Sequence, residues 1–79
     1  MISGKNVRVS SRPDLEAHPV IGPAAASVRG RLGDSGRLLL RYSGTEPLAR
    51  VMIEAEDGNQ VTALARELAG VISREIGEK

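Results

Sequence analysis

Cysteine, phenylalanine and tryptophan are all missing from this 79-residue chain, and Tyr42 is its only aromatic. Without cysteine there can be no disulfides and no thiolate metal sites, a composition compatible with a reducing cytoplasm. A single histidine, His18, excludes a histidine-cluster metal site as well. No apolar run approaches the ~18 residues of a membrane span, and the opening "MISGKN" does not read as a secretory signal. Charge of one sign is scarce too: 11 Lys and Arg against 10 Asp and Glu leave a net charge of +1. That balance gives no broad electrostatic footprint for nucleic acid, and one aromatic offers no stacking platform for single strands. Neither an internal repeat nor a low-complexity segment is present.

What remains is one small domain with a core of Val, Leu, Ile, Ala and Met. A chain of this size buries only about 60% of the surface it exposes when unfolded, so its stability is modest. Asn6–Ser10, "NVRVS", alternates with Val7 and Val9 on one side, which predicts a short half-buried strand. Pro13 and Pro19 mark a loop. Ile21, Ala25, Val28 and Leu32 then recur at helical spacing, with Pro23 suited to a first helical position and Gly33 to the stop. Leu38 and Leu40 oppose Leu39 and Arg41 on a second strand, and Val51, Ile53 and Ala55 oppose Arg50, Met52 and Glu54 on a third. Asp57 followed by Gln60 makes a capping-box pattern. It opens a helix whose apolar positions are Val61, Leu64, Ala65, Leu68, Val71 or Ile72, and Ile76. The expected fold is α+β in the order β-α-β-β-α: an antiparallel sheet of three to four strands with two helices on one face.

The informative stretch is "RYSGTEPLAR", Arg41 to Arg50. With Leu38/Leu40 and Val51/Ile53 on the core side, both arginines point to the other side and flank the turn. Arginine's planar fork matches two phosphate oxygens and never loses its charge. Successive N–H groups of a tight turn can form a concave nest for the same anion. Ser43 and Thr45 add hydroxyl donors, and Gly44 permits positive φ and a close approach to the backbone. On residue types alone two readings stand: a phosphate cradle, or a polar hairpin connection with ordinary surface arginines. Glu46 favours the second, because a carboxylate repels an anion. Arg29, Arg31, Arg66 and Arg74 read as solvated or helix-stabilising, and His18 as a loop or N-cap residue rather than a catalytic base.

The longer string "RLLLRYSGTEPLARVMIEAED" resembles the C-terminal-domain signature of the α-D-phosphohexomutases, most closely the bacterial phosphoglucosamine mutases among them. "NVRV" is similar to the strand that opens that domain and "GNQVTALARELAGVI" to its closing helix, so the resemblance runs from about Asn6 to Ile76. It implies a fold like half of the TATA-binding protein and a domain spanning 6–79, with 1–5 as a linker or cloning remnant. It also implies that Arg41, Ser43, Gly44, Thr45 and Arg50 hold the non-reacting phosphate of a phosphosugar. Tyr42 stands where Pro or Lys is more usual in the family, and Ala49 where a larger aliphatic is, which implies looser packing there.

The family's phosphoserine loop, its three-aspartate magnesium loop and its sugar-selecting Gly-Glu-x-Ser-Gly-His loop have no counterpart in these residues. Phosphoryl transfer needs a phosphodonor, charge neutralisation and a general base. No catalytic or metal-binding residue is therefore expected in this chain. The resemblance implies Mg2+ and a phosphoserine in other domains of a complete isomerase. Its partners would be those domains and the phosphosugar, with neither nucleic acid nor membrane, in the cytoplasm. Two alternatives remain: a domain of another phosphohexomutase, acting as a phosphoglucomutase or phosphomannomutase, and a non-enzymatic α+β interaction module.

Overall fold

Along the central strand, buried Ala49, Val51, Ile53 and Ala55 alternate with exposed Arg50, Met52 and Glu54. That period of two decides which face of the sheet the helices must cover. In the computed structural model, which describes residues 1–78, the elements are β1 (Ile2–Arg8), α1 (Ile21–Leu32), β2 (Gly36–Tyr42), β3 (Leu48–Ala55) and α2 (Gly58–Ile76). A 3-10 turn at Gly33–Ser35 joins α1 to β2. The three strands are antiparallel in the order β1-β3-β2, and both helices pack over one face. Val7, Leu38, Val51 and Ile53 of the sheet meet Val28 and Leu32 of α1 and Leu64, Leu68 and Ile72 of α2 in a single core. The expected small α+β architecture is the one observed.

Two boundaries differ from the sequence reading. β1 begins at Ile2 rather than Asn6, because residues 2–5 pair with β3, from Ile2↔Glu54 to Lys5↔Val51. Helix α1 begins at Ile21, so Pro23 occupies the third helical position and not the first. A proline is tolerated there because the first four N–H groups have no intrahelical acceptor. The earlier start has a cap: His18 Nδ1 accepts hydrogen bonds from the Val20 and Ile21 N–H groups, both at 3.1 Å. Gly22 is packed so closely over the Glu16 carbonyl that a Cβ would collide with it.

The Asp57 cap is only half of a capping box. Its Oδ1 accepts from the Asn59 and Gln60 N–H groups at 2.9 and 3.1 Å. The Gln60 side chain instead donates to the Arg31 carbonyl at the end of α1. Arg31 also pairs with Glu67 of α2, and Arg29 makes a two-pronged pair with Glu16. The Arg29 hydrogen bonds hold the Glu16 carboxyl below its ordinary pKa. These arginines tie elements together at the surface, where the sequence reading has them solvated or helix-stabilising. Asp57→Ala is expected to lower unfolding free energy by about 1 kcal/mol, read as a lower urea midpoint, with Asp57→Gly costing only a few tenths.

Candidate functional site

The uncovered sheet face shows what the helices leave open. Register places its residues in rows across the strands: Ile2, Glu54 and Arg37, then Gly4, Met52 and Leu39, then Asn6, Arg50 and Arg41. Arg37 reaches its neighbour Glu54 at 3.4 Å. Arg41 and Arg50, by contrast, are direct cross-strand partners of like charge. Among the described residues neither has a carboxylate within ion-pair distance. Like charges directly opposed on a sheet are destabilising. The two arginines, with Leu39 and Met52, line one concavity of about 190 Å3. The sequence reading that both point to one side of the turn is what the structure shows.

A larger depression of about 360 Å3 lies at the opposite end of the sheet. Its lining includes Asp34, Glu54 and Glu56, which repel an anion, so size does not make it the better candidate. Among the described residues no group of three or more His, Cys, Asp or Glu side chains is placed to hold a metal ion. The residues present do not fit the Mg2+ of a complete phosphotransfer centre.

The turn between β2 and β3 is more closed than its composition suggests. Ser43 is only 8% exposed, and its Oγ accepts hydrogen bonds from the Thr45 and Glu46 N–H groups, each at 3.3 Å. Those two amides face inward, so they do not form the outward nest expected of them. The Ser43 O–H hydrogen remains available to donate, since a hydroxyl can accept and donate at once. Gly44 does not use positive φ; among the described residues only Gly33 does. A Cβ at Gly44 would meet nothing within 4 Å. Its lack of a side chain is therefore not needed by the fold and leaves the loop open to approach from outside. Thr45 is exposed. The Glu46 carboxylate is exposed and, among the described residues, in no ion pair.

Tyr42 lies on the core side of β2, directly across from fully buried Ala49. Its ring packs against the core, and its Oη donates to the Pro13 carbonyl at 2.5 Å. Burial, and then the Asp14 carboxylate, push the phenol pKa up, while the Arg12 guanidinium opposes them. The phenol stays protonated at neutral pH and can make that bond. Its side chain faces away from the Arg41–Arg50 face.

Sequence reasoning missed Arg12, whose Nη2 donates to the Glu46 carbonyl at 3.3 Å. The pair is 34 positions apart, and no local pattern signals it.

A small α+β domain with two arginines opposed around a Ser-Gly-Thr turn is a class that comparison with known proteins narrows further. A family profile described as phosphoglucomutase/phosphomannomutase, C-terminal domain, matches residues 5–71. The chain belongs to this family. It is 50% identical over 72 residues to a phosphoglucosamine mutase of Syntrophotalea carbinolica, covering 91% of this chain and 16% of that protein. Identity to the phosphoglucosamine mutase of Desulfovibrio desulfuricans is 52% over 71 residues, covering 90% and 16%. For that of Methylococcus capsulatus it is 52% over 69 residues, covering 87% and 15%. The chain thus spans about one-sixth of the length of these relatives, which are isomerases.

Proposed function

We propose that this chain is the phosphate-anchoring C-terminal domain of a mutase that interconverts glucosamine 6-phosphate and glucosamine 1-phosphate. The observation that carries the reading is the Arg41–Arg50 pair, opposed across two strands with no counter-charge among the described residues and sharing one concavity. A phosphate dianion would neutralise that repulsion, with the Ser43 and Thr45 hydroxyls and the open backbone at Gly44 completing the contacts. Moving a phosphoryl group between the two ends of a sugar passes through a bisphosphate that turns around. The anchor must then accept either end, so it reads phosphate and ignores the sugar. Mobility of a small domain lets the cleft close on substrate and open for release. Mg2+ and a phosphoserine are supplied by the rest of the polypeptide, and this chain alone is inactive. The other domains are its protein partners, and the cytoplasm, where phosphosugars are made, is its location. In another phosphohexomutase the same anchor would serve a different sugar.

The test is thermal unfolding of the chain with inorganic phosphate, glucosamine 6-phosphate or glucosamine at matched ionic strength. Affinity near the millimolar range is expected, since the rest of the cleft is absent. At ten times Kd, either phosphate compound adds about 1.4 kcal/mol and raises Tm by several degrees. Glucosamine should do nothing. Equal stabilisation by glucosamine, or none by either phosphate, contradicts the reading. Phosphate salts stabilise many folds non-specifically, so an Arg41→Ala/Arg50→Ala variant in the same buffers sets the baseline.

A further inference from the structure

The segment after β1 crosses the loop end of the sheet from β1's side to β2's, and three hydrogen bonds fix it there. The Val9 N–H donates to the Pro47 carbonyl at 2.8 Å, Arg12 Nη2 donates to the Glu46 carbonyl, and Tyr42 Oη donates to the Pro13 carbonyl. Arg12 is thereby held at both ends. Its backbone precedes Pro13, which confines it to extended conformations, and Pro13 is itself anchored by Tyr42. Its head group sits on the turn that Arg41 and Arg50 flank. Among the described residues Arg12 makes no ion pair. One bond to a carbonyl uses a single N–H of the five that a guanidinium carries.

We propose that Arg12 is a third guanidinium of the anion site, delivered to the Ser43–Pro47 turn by the Tyr42–Pro13 contact. Arg41 and Arg50 take the phosphate from the open face, and Arg12 closes the turn from the side to which Tyr42 points. This gives Tyr42 a positioning role. A smaller residue, or a proline, at that position could not reach the Pro13 carbonyl. It also offsets Glu46: the carbonyl of the one acidic residue in the turn is what holds the added cation. The inference rests on the phosphate-anchoring reading.

The experiment compares phosphate affinity, by NMR titration with inorganic phosphate, in the parent chain and four variants, with Tm recorded for each. Arg12→Gln keeps a donor for the Glu46 carbonyl and removes the charge; Arg12→Lys keeps both. Arg12→Gln is expected to weaken binding by about threefold to fivefold, the scale of one exposed charge interaction. Arg12→Lys should stay within about twofold, as a point charge that lacks only the fork. Tyr42→Phe retains the ring in the core and should fall between them. Arg41→Ala is the reference for loss of the site. If Arg41→Ala abolishes binding while Arg12→Gln binds like the parent, Arg12 lies outside the site and the phosphate reading stands. If Gln and Lys lose affinity equally and both lower Tm, the contact is only structural and the inference is overturned. If Arg41→Ala changes nothing, the phosphate reading itself fails and this inference fails with it.

Discussion

Arg41→Ala and Arg50→Ala are each expected to weaken phosphate binding by about tenfold to a hundredfold, the equivalent of the roughly 1.5–3 kcal/mol of a charge-assisted hydrogen bond. The same substitutions should leave the unliganded chain as stable as the parent, or more stable by up to about 1 kcal/mol. The reason is the register: Arg41 and Arg50 sit directly opposite each other, and removing one charge relieves the repulsion. Opposite signs for ligand binding and bare stability are what distinguish a site from a structural pair. Urea unfolding without phosphate gives the stability, and the phosphate-induced Tm shift gives the binding. A variant that loses stability in phosphate-free buffer yet keeps its phosphate response would assign the pair to the scaffold. In a complete mutase the same changes should raise KM strongly. Serine phosphorylation by a bisphosphate donor should be less affected, because the proposed function assigns that step to other domains.

The second large effect concerns the face assignment beneath the site. Ile53 is fully buried on β3, and its neighbour Met52 is 43% exposed on the open face. Ile53→Ala is expected to cost about 2–5 kcal/mol, the transfer loss plus the cavity. A core of this size rarely supplies more than about 3–5 kcal/mol in all, so the variant should be largely unfolded at 37 °C. Met52→Ala should stay within about 0.5 kcal/mol, as an exposed position does. Comparable losses at both positions would mean that both faces of β3 are covered. Arg50 would then not be on a free surface.

That contrast was legible in the sequence, because strict alternation over Ala49–Ala55 leaves one assignment of inward and outward residues. So was α2, whose buried residues Val61, Leu64, Ala65, Leu68, Ile72 and Ile76 follow the helical period. The start of β1 was not: Ser3, Gly4 and Lys5 carry no apolar alternation, and only pairing with β3 makes them a strand. Nor was the start of α1, which depends on the imidazole of His18 and on the approach of Gly22 to Glu16. In the turn, residue types do not give the directions of the side chains. Ser43 is turned inward onto its own loop, a choice made by local hydrogen bonds that composition does not reveal. Arg12 reaches the turn only through the path of the chain after β1.

The guanidinium groups themselves give the most direct test. With 15N-labelled chain, the Arg41 and Arg50 Nε–Hε resonances should shift progressively as inorganic phosphate or glucosamine 6-phosphate is added, saturating in the millimolar range with the amides of Ser43–Glu46. Side chains of Arg29 and Arg31, already paired with Glu16 and Glu67, should stay still. Resonances of Arg41 and Arg50 that do not move up to tens of millimolar phosphate would contradict the account.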